Sequence, residues 1–166
     1  MKKRLVLIRH GKSPYDDYVL NDSERHLGSR GYQDVNVTAQ WLIQNNYQPD
    51  LMITSPAIRA YSTCFLIANC LSFPLDKLVI HPSIYEATDA ALNYVINELP
   101  NEANTVFLVG HNPSLTSMIG KLSNQPFSHL PTSAVAVIEF GEKLWKDISI
   151  GSGNLLEMFC SHKSID

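Results

Sequence analysis

Short runs of apolar residues alternate with longer amphipathic segments along the chain. The runs are continuous, as is typical of strands that are buried on both faces of a sheet. Six strands are therefore predicted, at residues 5–8, 51–53, 78–80, 106–109, 134–140 and near 155–159. A short helix is expected around Trp145, and a turn at 151–153 separates it from the last strand.

Apolar residues recur at helical spacing between the strands. The four stripes are Tyr32, Val35, Ala39, Leu42 and Ile43; Ile58, Tyr61, Phe65 and Ala68; Leu92, Val95, Ile96 and Leu99; and Leu115, Met118, Ile119 and Leu122. Each stripe would bury one face of a helix, so we expect these side chains in the core. Strands that alternate with helices predict βαβ units, right-handed crossovers and a mainly parallel sheet. The predicted fold class is therefore α/β.

Composition and charge narrow the class of protein. The 166 residues, of which 45% are hydrophobic and 17% charged, predict one domain spanning 1–166. The net charge of −3 argues against a nucleic-acid surface, and the apolar runs are too short to cross a membrane. No secretory signal follows the basic N-terminus, and Cys64, Cys70 and Cys160 fit reduced thiols. We therefore expect a cytoplasmic protein that binds neither nucleic acid nor membrane.

Residues 11–28 interrupt the alternation of strands and helices. They have no apolar period and are rich in Asp, Asn, Ser and Pro. Loops longer than about 12–15 residues in a compact domain are usually functional or disordered. Because this segment directly follows the first strand, we predict that it contributes to a site.

Polar residues follow the predicted strands at the edge where ligands bind in open α/β sheets. For the first four strands in chain order they are Arg9 and His10; Ser55 and Arg59; Glu86 and Asp89; and His111. Arginines and helix N-termini suit a tetrahedral dianion, because a guanidinium pairs with two phosphate oxygens at once. A histidine within such a cluster can attack phosphorus. Ser55 is interpreted as an ordinary helix cap.

Other phosphate, nucleophile and metal motifs fail on spacing. Gly11, Lys12 and Ser13 resemble the end of a Walker A loop, but Val6 stands where that loop requires glycine. The sequence contains no Gly-x-Ser-x-Gly elbow and no glycine-rich dinucleotide fingerprint after the first strand. It also contains no Cys-x-x-Cys, His-x-x-x-His or Asp-x-His pair, so we predict neither a metal nor a cofactor.

Three motifs resemble those of the histidine phosphatase superfamily, which includes the cofactor-dependent phosphoglycerate mutases. They are Leu-Ile-Arg-His-Gly at 7–11, Thr-Ser-Pro-Ala-Ile-Arg-Ala at 54–60 and Val-Gly-His-Asn-Pro at 109–113. The stretch 25–31 resembles the Arg-Pro-Leu segment of the small SixA-type phosphohistidine phosphatases, with histidine in place of proline. The resemblance covers nearly the whole chain. It implies a phosphoglycerate mutase-like fold, which is a three-layer α/β/α sandwich.

The resemblance also implies roles for the residues that match its motifs. His10 would be the nucleophile that becomes phosphorylated. Arg9, Arg25 and Arg59 would bind the phosphoryl oxygens, with His111 as the second histidine beside them. Phosphate favours the protonated form of His111 and the arginines oppose it, so the sequence leaves its protonation open.

The proton donor is less directly implied by the resemblance. Glu86 lies where larger members carry a proton-donating glutamate, and Asp89 is an alternative donor. Ser62 is a departure, since the family pattern Arg-Ala-x-Gln-Thr has glutamine there, and it leaves a supporting hydrogen bond unaccounted for.

The length of the chain bears on the substrate. The segment 81–105 has room for one loop and one helix but not for a lid subdomain. An open pocket suits a phosphoryl group on a protein surface, and the resemblance likewise implies a protein phosphohistidine as substrate. A small phosphomonoester is the alternative substrate. A non-catalytic phosphate-binding module is a further hypothesis, from a different class.

Overall fold

Strands and helices form where the apolar pattern predicts them. The computed structural model describes residues 1–15 and 21–162, so residues 16–20 of the predicted 11–28 loop lie outside the described residues. The strands are β1 (Lys3–Arg9), β2 (Leu51–Thr54), β3 (Leu78–Ile80), β4 (Thr105–Gly110), β5 (Val135–Phe140) and β6 (Gly153–Phe159). The helices are α1 (Ser29–Gln44), α2 (Ile58–Cys70), α3 (Asp89–Asn97) and α4 (Ser114–Ser123). Short 3₁₀ turns lie at Asp22–Glu24, Leu75–Lys77, Pro82–Ile84 and Trp145–Asp147.

The six strands form one sheet in the order β3-β2-β4-β1-β5-β6. Neighbours among β1 to β4 pair in parallel, whereas β5 is antiparallel to β1 and β6 is antiparallel to β5. The predicted mainly parallel sheet is confirmed. β5 reverses because it begins beside the end of β1, where the Ser133 N–H donates to the carbonyls of Arg9 and His10.

Helices cover both faces of the sheet. Leu5 and Leu7 of β1 pack into a cluster with α3, α4 and Trp145. Val6 and Ile8 pack into a second cluster with α1 and α2 on the opposite face. The two sets separate because successive side chains of a strand point to opposite faces. The resulting three layers confirm the α/β/α sandwich.

The stripe predicted to bury α2 is wrong at three of its four positions. Tyr61 is exposed, and Ile58 and Phe65 are only half-buried, whereas Ala68 is buried as predicted. The buried residues of α2 are Arg59, Ala60, Thr63, Cys64, Ile67 and Ala68. Two of these residues are polar and are buried because they make hydrogen bonds. A stripe chosen from apolar residues alone therefore places the buried face of α2 at the wrong angle around the helix. In α1, Tyr32 is also exposed, whereas the stripes of α3 and α4 are buried as predicted.

A close approach at Gly31 joins α1 to the segment that follows β1. A Cβ atom at Gly31 would lie 2.2 Å from the carbonyl oxygen of Lys12, well inside any non-bonded contact. The same carbonyl accepts a hydrogen bond of 2.9 Å from the Gly28 N–H. The absence of a side chain at Gly31 therefore lets the chain after β1 lie against the start of α1.

The three cysteines are free thiols. Cys64 is buried, and burial raises the pKa of its thiol to about 12; Cys70 and Cys160 are half-buried. None of the helices in residues 1–15 and 21–162 is long and apolar enough to span a membrane. The single domain spanning 1–166 stays a prediction.

Candidate phosphoryl-transfer site

One cavity of about 350 Å³ lies at the carboxyl edge of the parallel strands. It is lined by all six predicted site residues, which are Arg9, His10, Arg25, Arg59, Glu86 and His111. Arg9 ends β1 and His10 follows it, His111 follows β4, and Arg59 lies in the first turn of α2. Parallel strands bring their carboxyl ends to one edge, which is why residues far apart in sequence meet there.

His10 is held with one ring nitrogen available to react. Its Nδ1 lies 2.8 Å from the carbonyl oxygen of Gly11, which can only accept, so Nδ1 carries the proton and donates. Nε2 is then left with its lone pair. The next amide, the Gly11 N–H, donates to Oγ1 of Thr63 at 3.0 Å and ties this turn to α2.

The surroundings keep His10 neutral. Burial lowers the pKa of His10 from its ordinary 6.5 to about 3. The Gly11 carbonyl opposes that shift, while Arg59 and Arg9 act in the same direction as burial. A neutral imidazole is the nucleophilic form, so His10 is ready to react at physiological pH.

His111 lies beside His10, with their ring centroids 5.1 Å apart. Its Nε2 is 2.7 Å from the Ser55 hydroxyl oxygen, and its Nδ1 is 3.5 Å from Nη2 of Arg59. Burial lowers the pKa of His111 to about 4, and Arg59 adds to that effect more than Asp22 opposes it. In this structure, burial and the arginines therefore decide the protonation that the sequence left open, and His111 is neutral at pH 7.

Arg25 and Arg59 meet on a carboxylate that the sequence did not single out. Asp22 accepts from Nε of Arg25 through one oxygen and from Nη2 of Arg59 through the other, each at 2.9 Å. The hydroxyl of Tyr85 also donates to Asp22 at 2.9 Å. Burial raises the pKa of Asp22, but the hydrogen bonds from Tyr85 and the two arginines outweigh it and hold that pKa well below its ordinary value.

The other ends of the arginines are held by the backbone. Nη1 of Arg25 donates to the carbonyl of Ser13 at 3.0 Å, and the exposed ring of Tyr15 stacks 4.3 Å from the same guanidinium. Nη1 of Arg9 donates to the carbonyl of Leu130 at 3.1 Å. The three guanidiniums thus converge on the cavity from three different chain segments.

The two candidate proton donors are in different places. Glu86 lines the cavity and has a positive φ of 51°. Asp89 lies outside this lining and accepts hydrogen bonds of 2.6 Å from the Ser117 hydroxyl and from Lys121. These hydrogen bonds lower the pKa of Asp89, which keeps it ionised. Of the two acids, only Glu86 faces the site.

Sequence reasoning missed three contributors to this site. In the sequence, Asp22 is one acid among several in the 11–28 loop, and Tyr85 lies outside the matched motifs, next to Glu86. The prediction that Ser55 caps α2 is wrong, because the N-cap residue is Ala57; the Ser55 hydroxyl accepts the Ala57 N–H at 3.2 Å and also contacts His111. An acid three residues before a phosphate-binding arginine is the one signal that was available for Asp22.

Metal ligands do not cluster in the described ranges. No group of three or more His, Cys, Asp or Glu side chains there could hold a metal ion. Positive charge at the cavity is instead supplied by arginine.

No family model matches the chain. It is 25% identical over 142 residues to the phosphohistidine phosphatase SixA of Escherichia coli, covering 84% of this chain and 86% of SixA. A structure of the protein histidine phosphatase SixA with tungstate superposes with a TM-score of 0.82, at 22% identity, over 95% of this chain and 97% of that one.

The chain is thus similar to SixA in sequence and in fold. An uncharacterised chloroplast protein of Arabidopsis thaliana is a further relative. It is 26% identical over 161 residues, which cover 92% of this chain and 73% of that protein. The similarity to these relatives therefore extends over most of the chain.

Proposed function

We propose that this protein is a histidine phosphatase that hydrolyses a phosphoryl group through a phosphohistidine intermediate on His10, and that its substrate is a protein phosphohistidine. The observation that carries the proposal is the state of His10. Its Nδ1 is committed to the Gly11 carbonyl, so Nε2 offers a lone pair among Arg9, Arg25 and Arg59.

In the first step, Nε2 of His10 attacks phosphorus and forms an N–P bond. The bond between phosphorus and the leaving group breaks, and Glu86 gives the leaving atom its proton. Arg9, Arg25 and Arg59 bind the equatorial oxygens, where guanidinium charge stabilises the transition state. His111 joins them only when its Nδ1 is protonated, which the charge of the phosphoryl oxygens favours, since its Nε2 faces Ser55.

In the second step, water attacks the phosphorus of phosphorylated His10. The Glu86 carboxylate formed in the first step takes the proton from that water. The N–P bond breaks, its electrons return to Nε2, and inorganic phosphate leaves. The proton that Glu86 gives to the leaving group is replaced by the proton that it takes from water, so Glu86 ends protonated as it began.

The site is open enough for a phosphoryl group carried by a protein. Between β3 and β4 the chain forms a 3₁₀ turn and α3, with no inserted subdomain over the cavity. The similarity to SixA supports the same substrate class. We further place the reaction in the cytoplasm, which the free thiols of Cys64, Cys70 and Cys160 support.

The nucleophile is tested by trapping the intermediate. The protein is incubated briefly with a labelled phosphodonor and then denatured, and we expect a label that acid removes and base does not. His10→Ala should lose both the label and turnover, whereas His26→Ala should keep both, because the His26 side chain is exposed. Normal turnover by His10→Ala would overturn the proposal.

The substrate is tested by comparing a phosphohistidine protein with simple phosphomonoesters at matched concentrations. We expect a higher kcat/KM for the phosphohistidine protein. Much faster turnover of the monoesters would replace the substrate proposal with the small-molecule alternative. Phosphate binding without any turnover would instead indicate the non-catalytic module.

A further inference from the structure

The phosphate-binding arginines already hold an anion in this structure. Asp22 accepts three side-chain hydrogen bonds, from Arg25, Arg59 and Tyr85, all at 2.9 Å. The two carboxylate oxygens accept hydrogen bonds from two guanidiniums and a hydroxyl, as the oxygens of a phosphoryl group would in the same place. Asp22 lines the cavity together with these three residues.

The hydrogen bonding of the Arg59 guanidinium is incomplete while the Asp22 carboxylate contacts it. Nη1 of Arg59 donates to the backbone carbonyl of Asp22 at 2.8 Å, and Nη2 donates to its carboxylate. Nε of Arg59 is buried and has no hydrogen-bond partner within the described residues. An oxyanion that bound across the Nη2 and Nε edge would satisfy both donors, which the Asp22 carboxylate does not.

We propose that the Asp22 carboxylate occupies the place of phosphoryl oxygens in the substrate-free protein and is displaced when a phosphoryl group binds. This inference rests on the proposed function, because it assumes that these arginines bind phosphate. Asp22 is then a residue that sets the affinity of the cavity for phosphate, both as part of a substrate and as the product.

Displacement requires only a local movement. The Asp22 side chain is 45% exposed, and it belongs to a 3₁₀ turn of three residues. Arg59 stays anchored by the Asp22 backbone carbonyl, and Arg25 stays anchored by the Ser13 carbonyl. Rotation of one carboxylate therefore frees both guanidiniums without moving either arginine away.

Electrostatics makes the carboxylate and a phosphate dianion compete. The hydrogen bonds that Asp22 accepts keep it ionised at neutral pH. Two anions on the same pair of guanidiniums repel each other, so each lowers the affinity for the other. We infer that Asp22 weakens phosphate binding and thereby speeds release of the product.

Binding of inorganic phosphate to the full chain, measured by calorimetry, tests the inference. Asp22→Asn keeps the shape of the side chain and removes its charge, so we expect phosphate to bind about tenfold more tightly, as loss of one competing charged hydrogen-bond partner predicts. Asp89→Asn is the matched control, since it neutralises an ion-paired aspartate outside the cavity, and it should leave the affinity unchanged. Unchanged or weaker binding by Asp22→Asn would overturn the inference, because a carboxylate that only positions the arginines has that effect.

A crystal structure of the unaltered protein with phosphate provides a second test that does not depend on the variant folding. We expect the Asp22 carboxylate to have left Nη2 of Arg59, and a bridge that persists beside bound phosphate would refute displacement. Failure of the proposed function would look different. In that case His10 acquires no label, whatever the effect of Asp22→Asn on phosphate affinity.

Discussion

The Ser55 hydroxyl oxygen lies 2.7 Å from Nε2 of His111 and also accepts the Ala57 N–H at 3.2 Å. A single side chain thus links the start of α2 to a histidine that follows β4. Because Nη2 of Arg59 is a donor, the Nδ1 that faces it accepts, and Nε2 donates to Ser55. Arg59 therefore selects the tautomer of His111, and the hydrogen bond to Ser55 fixes the direction in which its ring points.

Removal of the Ser55 hydroxyl should impair both stability and catalysis. Ser55→Ala leaves a buried ring nitrogen without a partner, which lowers the free energy of unfolding by about 1–3 kcal/mol. Because the His111 ring also loses the contact that orients it, we expect kcat to fall about tenfold. Steady-state kinetics at pH 7 measures the change in kcat. Ser62→Ala, in α2 and outside the cavity lining, should match the unaltered protein. Equal kcat in both variants would show that Ser55 acts only on the turn before α2.

Glu86 and Asp89 should differ as proton donors. Glu86→Gln removes the acid that faces the cavity, and general acid catalysis contributes about 10²- to 10⁴-fold. We expect a large loss of kcat with an alkyl phosphate, whose leaving group needs a proton, and a small loss with a nitrophenyl phosphate. Asp89→Asn should lose little with either substrate. The reverse order of the two variants would assign the donor to Asp89.

Buried neutral histidines make the fold sensitive to mild acid. The pKa values of His10 and His111 are lowered from 6.5 to about 3 and about 4, so between pH 6.5 and 5 the unfolded chain binds protons that the folded protein does not. The free energy of unfolding should therefore fall with falling pH, by about 1.4 kcal/mol per pH unit for each histidine.

Urea unfolding at pH 6.5 and pH 5 measures this dependence. His10→Asn removes one of the two groups and should roughly halve the slope, whereas His26→Ala should leave the slope unchanged. Histidine NMR signals give a second check, since the rings of His10 and His111 should not titrate between pH 8 and 5. Titration of either ring near pH 6.5 would contradict its neutral state.

The contact at Gly31 predicts a large effect from one methyl group. In Gly31→Ala the new Cβ meets the Lys12 carbonyl at 2.2 Å, and a backbone atom cannot yield as a flexible side chain can. Alanine gains about 1 kcal/mol in helix propensity over glycine, but overpacking typically costs about 1–3 kcal/mol and this contact is severe. We expect a net loss of stability in urea unfolding.

Gly141→Ala is the matched control for that change. A Cβ atom there meets nothing within 4 Å, so its stability should be unchanged or slightly raised. Because Lys12 is two residues from His10, Gly31→Ala should also lower turnover in the fraction that folds. Normal stability in Gly31→Ala would mean that α1 can move away from this segment.

The sequence predicts the fold well where one property decides the structure. β1 and β4 are found because both of their faces are buried, and α3 and α4 because only one face is. α2 is misjudged because two polar residues occupy its buried face, and the antiparallel start of β5 depends on hydrogen bonds from a loop. Continuous apolar runs carry no information about either feature.

The candidate site likewise has residues that the sequence predicts and contacts that it does not predict. Five of its six predicted residues share one cavity because they follow strands whose carboxyl ends meet at one edge, and that rule needs no coordinates. The sixth, Arg25, is implied only by the resemblance to the histidine phosphatases. The contacts of Asp22, Tyr85 and Ser55 depend on the path of loops and on individual side-chain angles. These contacts are what distinguish a cluster of charges from an arrangement with a defined nucleophile, tautomer and resident anion.

The location of β1 within the sheet has a consequence for the way activity is lost. The His10 N–H donates to the Gly110 carbonyl at 3.1 Å, and the strand before it is paired on both sides. Opening of the edge strand β3 or fraying of α3 would leave these bonds in place. His10, the proposed nucleophile, should thus belong to the cooperative unit that opens last, and amide exchange at His10 should be as slow as global unfolding allows.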